Sequence, residues 1–135
     1  MMNVPYFEPW ITTKDKKSVM KSLDSRWLTN GPFLKKFEKK FSTFLETKFA
    51  IGTSSATTSL HLSLRALGIK PGDEVITAAN TFVATVGAIC ELGAIPVFVD
   101  CDDSFCMNVS LVEKKITKKT KAIVPVHFTG YMTDM

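Results

Sequence analysis

Apolar residues recur at steps of three and four over two stretches near the start of the chain. The pattern then breaks into short apolar runs separated by polar turns. Residues 3–11 carry Pro5 and Pro9 and read as extended. Thr12 or Thr13 can cap a first helix that shows Val19, Met20 and Leu23 on one face and ends near Ser25. Residues 26–32 follow as a loop, because Asn30-Gly31-Pro32 is turn chemistry, and Pro32 suits the first turn of the next helix. There Phe33, Phe37, Phe41 and Phe44, with Leu34 and Leu45, form an apolar stripe opposite Lys35, Lys36, Lys39 and Lys40. Such a stripe belongs in a core or a subunit interface.

From residue 48 the rhythm changes. Phe49-Ala50-Ile51 is a candidate strand, and residues 57–67 a helix closed by Gly68. A turn over residues 70–73 leads into a strand at 74–77, then a helix at 82–92 stopped by Gly93. Residues 95–99 form a third strand. Ser110 and Glu113 match a capping box that starts a short basic helix, and residues 122–127 form a last strand with Pro125 near a bend. Strands alternating with helices predict an α/β fold: a mostly parallel sheet with flanking helices.

Open α/β sheets bind ligands beyond the carboxyl ends of their strands. In this chain those ends are where Ser, Thr, Asn, Asp and His gather: 53–55, 77–81, 100–103 and 127–130. The run from Thr53 to His61 stands out, because small hydroxyl residues open a leucine-rich helix. The first N–H groups of a helix lack intrahelical acceptors and favour an anion. Ser and Thr are also ordinary N-caps, so both readings stand. The Gly-Lys-Ser/Thr end of a P-loop and the GxGxxG dinucleotide fingerprint are both missing, which disfavours a nucleoside triphosphate or a nicotinamide and leaves a monophosphate open. Phe82 begins a helix at the same sheet edge, where a ring can stack on a planar cofactor or pack against the helix. Asp100, Asp102 and Asp103 fit no EF-hand loop, and no metal is expected. His127 ends the last strand as a structural or acid–base group, and His61 reads as packing.

Bulk properties add little that alters this picture. The 135 residues suffice for a real core, burying roughly 65–70% of the unfolded surface. The net charge of +4 comes from lysine clusters at 14–21, 35–40 and 114–121, each interleaved with apolar residues and so read as solvated faces, with no nucleic-acid or membrane partner implied. Cys90, Cys101 and Cys106 lack metal spacing, and Cys90 sits in an apolar run that reads as buried. The N-terminus has no signal-peptide pattern and no apolar run reaches membrane-spanning length, so a cytoplasmic location is expected.

Taken together, Trp27-Leu28-Thr29-Asn30-Gly31-Pro32, residues 55–62, 66–76, 80–85, 92–100 and 120–127 resemble the nucleotide-sugar aminotransferases, pyridoxal-phosphate enzymes of fold type I related to perosamine synthase. The resemblance runs nearly end to end, and the order and spacing of the blocks carry it. It implies that the chain is the N-terminal portion of the large domain, with a helical segment at 1–47 and the first part of the cofactor-binding domain at 48–135. It implies that Ser55, Ala56 and Thr57 hold the phosphate of pyridoxal 5'-phosphate and that Phe82 stacks on its ring. Ala56 stands where the family often has glycine. The resemblance also assigns Asn30, Gly31, Thr85 and His127 to the pocket, the first two through a dimer's shared active site.

The intact enzyme is expected to move an amino group, from glutamate, onto a nucleotide-linked keto sugar in polysaccharide biosynthesis. The acidic partner of the pyridinium nitrogen, the lysine that bonds the cofactor and the small domain are expected beyond Met135, so residues 1–135 hold no catalytic lysine and are expected to be inactive alone. The rival reading is a non-catalytic fragment or one half of a split protein, serving as a binding module. Uncovered helix faces predict a homodimer or pairing with a C-terminal half, with the phenylalanine stripe as a contact.

Overall fold

The computed structural model describes Pro5 and residues 7–135. The extended segment expected over 3–11 falls partly outside the described residues. By its contacts the chain divides into two units, Met1–Gly52 and Thr53–Met135.

The first unit carries helix α1, Thr13–Asp24, and helix α2, Pro32–Phe44. Thr12 starts α1 with a reciprocal capping box. Its Oγ1 accepts the Asp15 N–H at 3.3 Å, and Asp15 Oδ2 accepts the Thr12 N–H at 2.8 Å. The Thr12 hydroxyl also donates to this carboxylate, and these bonds hold the Asp15 carboxyl below its ordinary value. Pro32 opens α2 directly after Gly31. Gly31 has no room for a side chain, since a Cβ there would lie 2.6 Å from the Trp27 ring. Along α2 the Phe37 and Phe41 rings stack with centroids 5.5 Å apart. The stripe is nonetheless open: α1 buries no residue, and α2 buries only Ser42.

The strand expected at Phe49–Ile51 does not form. Phe49 and Ile51 are exposed, and the Gly52 N–H goes to Glu38 Oε1 at 2.9 Å rather than to a neighbouring strand. Three apolar residues without a strand to pair with leave their backbone groups unserved by a ladder, so the segment stays irregular.

The second unit holds helix α3 (Ala56–Ala66), strand β1 (Glu74–Ala78), helix α4 (Val83–Cys90), strand β2 (Ile95–Val99) and strand β3 (Thr120–Val124). The sheet has three strands in the order β2-β1-β3, both pairings parallel. Central strand β1 is buried from Val75 to Ala78. Val75 joins Leu64, Ala88 and Ile89 in one cluster, while Ile76 and Ala78 join Val99, Met107 and Val112 in the other. Burial on both faces is why this strand reads as a continuous apolar run. Its one hydroxyl, Thr77 Oγ1, donates to the Val124 carbonyl at 2.9 Å.

Helix α3 ends in a Schellman motif: the Ile69 N–H reaches the Leu64 carbonyl at 3.2 Å, with Gly68 at φ +81°. At the amino edge of the sheet the backbone is laced together. Gly72 N–H donates to the Gly93 carbonyl at 3.0 Å, Ile95 N–H to Asp73 at 2.8 Å, and Glu74 N–H to Lys119 at 2.9 Å. Gly93 combines φ +70° with Pro71 side-chain atoms 3.1 Å from where a Cβ would sit.

Three further expectations are corrected. The basic helix after Ser110 is instead two short 3-10 turns, Val109–Leu111 and Glu113–Lys115. Asn108 is the cap, and it accepts from both the N–H and the hydroxyl of Ser110. The last strand begins at Thr120 and stops at Val124, because Pro125 has no N–H to continue the ladder. Cys90 is exposed at the end of α4 rather than buried. All lysines are exposed, as expected of solvated faces. Among the described residues no helix is long and apolar enough to cross a membrane.

Candidate functional site

The topology brings two helix starts to one edge. Helix α3 has 11 residues, about 16 Å, roughly the length of a five-residue strand. A short connection delivers its C-terminus to the amino end of β1, so its N-terminus arrives at the carboxyl edge of the sheet. Helix α4 begins where β1 ends and packs beside α3. The chain then passes to β2 on one side of β1 and to β3 on the other. The carboxyl end of β1 is therefore the point where the strand order reverses, the place where open parallel sheets leave a crevice.

At the start of α3, Ser55 is the N-cap, and its Oγ accepts the Thr58 N–H at 3.2 Å. The surrounding hydroxyls satisfy one another: Thr53 Oγ1 lies 2.6 Å from Ser59 Oγ, and Ser54 Oγ 3.2 Å from Thr58 Oγ1. With Thr58 capped, the N–H groups of Ala56 and Thr57 are the helix donors left without an intrahelical acceptor. Ser55, Ala56 and Thr57 are all exposed, and among the described residues the Thr57 hydroxyl takes no hydrogen bond. The hydroxyl cluster is thus both a cap and an open donor set, two readings that the sequence left side by side.

Phe82 is the N-cap of α4, with φ −71° and ψ 144°, and its side chain makes no capping bond. The residue is 76% exposed. Behind it Thr85 is buried, its hydroxyl accepting from Thr81 Oγ1 at 2.9 Å, so Thr85 braces the first turn of α4. His127 lies three residues past the end of β3, exposed, with its Nδ1 accepting the Thr133 N–H at 3.1 Å. That bond puts the proton of the neutral ring on Nε2, where it can be donated. Asn30 and Gly31 belong to the first unit.

Asp102 accepts from the Ser104 hydroxyl and N–H within its own turn, and these bonds hold its carboxyl below the ordinary value. No group of three or more potential metal ligands occurs among the described residues. His61 Nδ1 lies 3.1 Å from Glu91 Oε2 and has no other partner, so that contact is a hydrogen bond when Nδ1 carries the proton. A cleft of about 680 Å3 is lined by residues 102–104, Cys106 and residues 131–135. It contains none of the site residues expected from the sequence.

One feature has no signal in the sequence. Asn80 Nδ2 donates to the Phe105 carbonyl at 3.2 Å, joining the loop before α4 to the turn after β2. Phe105 sits in the left-handed region at φ +61°, a conformation that a phenylalanine does not advertise.

A parallel sheet with two helix N-termini and a bare aromatic beside its switch point defines an open α/β fold. Residues 9–135 match the DegT/DnrJ/EryC1/StrS aminotransferase family, and the chain belongs to it. It is 45% identical to GDP-perosamine synthase of Escherichia coli O157:H7 over 137 residues, covering all of this chain and 38% of that protein. The fold is similar to the PLP form of Spr1654 from Streptococcus pneumoniae, with a TM-score of 0.91 and 41% identity over 98% of this chain and 34% of that one. It is also similar to a GDP-4-keto-6-deoxymannose-3-dehydratase with a trapped PLP-glutamate geminal diamine, at TM-score 0.85 and 28% identity over 93% of this chain and 34% of that one. The chain thus spans little more than a third of the proteins it matches. Those neighbours are fold-type I enzymes, in agreement with the sheet and flanking helices expected from the sequence.

Proposed function

We propose that this chain supplies the phosphate cradle and ring-stacking wall of a pyridoxal-phosphate-dependent aminotransferase that acts on a nucleotide-linked keto sugar. One observation carries the reading. In a chain of an aminotransferase family, the open N-terminus of α3 and the bare Phe82 ring share the carboxyl edge of one sheet.

The residues present fit this cofactor. Ala56 and Thr57 offer N–H groups to a phosphate, the Thr57 hydroxyl is unengaged, and the dipole of α3 favours the charge. Ser55 fixes the first turn by capping Thr58 and faces the same edge. Phe82 offers a flat apolar face to a pyridine ring. Ala56 in place of a glycine fits as well, since a helical first-turn residue needs no special φ. When bound, the cofactor takes an amino group from one substrate and passes it to the carbonyl of the next, its ring acting as an electron sink.

The protein's part is binding and orientation. Thr85 braces the turn under Phe82, and the Thr133 bond to His127 Nδ1 leaves Nε2 as the ring's donor, which supports a pocket role for His127. Asn30 and Gly31 line the pocket from a second subunit of a homodimer, with the division into a 1–47 helical segment and a 48–135 cofactor domain. A nucleotide sugar is supported by the likeness to GDP-perosamine synthase, and glutamate as donor by the PLP-glutamate adduct of the dehydratase. Every lysine in residues 1–135 is exposed. We assign none of these lysines to bonding the cofactor, and propose for residues 1–135 a binding and orienting role. The site of action is the cytoplasm.

The test uses pyridoxamine 5'-phosphate, which has no aldehyde and cannot attach to surface lysines. Fluorescence titration of the 135-residue chain should show saturable binding to one site. Thr57→Val, which keeps the shape and deletes the hydroxyl, should weaken it about tenfold, the scale of a hydrogen bond to a charged group. No binding, or full affinity in both Thr57→Val and Ser55→Ala, would overturn the cradle.

A further inference from the structure

The loop between β1 and α4, residues 79–82, carries Phe82, yet the Phe82 side chain does nothing to fix its own position. It makes no capping bond and is largely exposed. Three neighbours anchor the loop instead. Ala79 N–H extends the ladder to the Val99 carbonyl at 2.8 Å, and Thr81 reaches forward to Thr85. Asn80 alone in this loop, among the described residues, sends a side chain to a distant part of the chain, donating Nδ2 to Phe105 O at 3.2 Å.

That acceptor is itself held. Phe105 N–H closes a turn onto the Asp102 carbonyl at 3.0 Å, and Asp102 accepts the Ser104 N–H at 2.9 Å. The Phe105 ring rests against Phe128 at a centroid distance of 6.0 Å. The left-handed φ of Phe105 is one that a bulky residue keeps only where its surroundings impose it. A carbonyl fixed by its own turn is a stationary point to which a loop can be tied.

We infer that Asn80 is a positioning residue that sets the Phe82 ring against the cofactor, by tying the β1–α4 loop to the turn after β2. The inference rests on the assignment of Phe82 as the ring-stacking residue. It separates two parts of one ligand. The phosphate is bound at the start of α3, which Asn80 does not touch, while the ring is met by the loop that Asn80 holds.

The experiment compares pyridoxamine 5'-phosphate with inorganic phosphate on the 135-residue chain. Asn80→Leu keeps the approximate size and removes the donor. It should weaken pyridoxamine 5'-phosphate about fivefold, the scale of an aromatic stacking contact, alter the near-ultraviolet circular dichroism of the bound ring, and leave inorganic phosphate affinity unchanged. Asn80→His, which can place an N–H at the same δ position, should restore both ring readouts. Equal loss of both ligands in Asn80→Leu would make Asn80 a general stabiliser and overturn the inference. So would unchanged pyridoxamine phosphate affinity and dichroism, while the cradle reading would survive that result. Failure of the unsubstituted chain to bind pyridoxamine 5'-phosphate would overturn the cofactor reading and this inference with it.

Discussion

Ile76 and Phe37 both lie in strongly apolar stretches of the sequence, one in each unit, and their environments are opposite. Ile76 in β1 is fully buried, with apolar residues from β2 and the 107–112 segment packed around it. Phe37 in α2 is 54% exposed, its main aromatic partner being Phe41 one turn along the same helix. Every buried apolar residue of the described chain lies between Leu64 and Val112. An apolar stripe therefore says which face of an element avoids water, and only the rest of the fold says whether that face is covered. The second unit buries one such stretch on both faces of β1, whereas α1 and α2 bury no apolar residue.

The largest effect that would break this contrast is in the core. Ile76→Ala should cost about 2–5 kcal/mol in urea denaturation, because it removes a buried side chain from a packed cluster. A loss under about 1 kcal/mol would mean that the second unit is not a consolidated core. Phe37→Ala in α2 should cost only about 0.5–1 kcal/mol in the same measurement, the scale of a surface aromatic pair. A cost as large as that of Ile76→Ala would show the stripe to be covered in solution. The smallest effect is electrostatic and local to α1.

Bonds from Thr12 depress the Asp15 carboxyl in the folded chain, so its contribution is present above the ordinary aspartate value, about 3.9. It is lost as pH falls below that value and through the lower folded one. The α1 signal in NMR chemical shifts should weaken over that acid range, and Asp15→Asn should remove the step.

The sequence made the second unit readable because its signals agree. Gly68 and Gly93 close two helices, β-branched runs fill β1 and β2, and the two strands fall at or within a residue of the expected bounds. It misled where a local pattern lacked a partner. Residues 49–51 have strand composition but nothing to pair with, and Ser110 has capping-box spacing but lost the cap to Asn108. The site was legible in part for the same reason. Hydroxyls before a helix announce a cap or a cradle, and Phe82 announces an aromatic at the sheet edge. The bond from Asn80 to Phe105 spans 25 residues and ends on a backbone carbonyl, an acceptor that every residue possesses. No residue pattern encodes it.

The lacing at the amino edge sets how that end tolerates substitution. The Gly72–Gly93, Asp73–Ile95 and Glu74–Lys119 bonds are made by backbone atoms alone, so substitutions that keep the local conformation leave them intact. The opposite edge adds side-chain bonds, Asn80 to Phe105 and Thr81 to Thr85, which depend on the identity of the residue. A chain laced in this way keeps its amino edge through substitutions that would loosen its carboxyl edge.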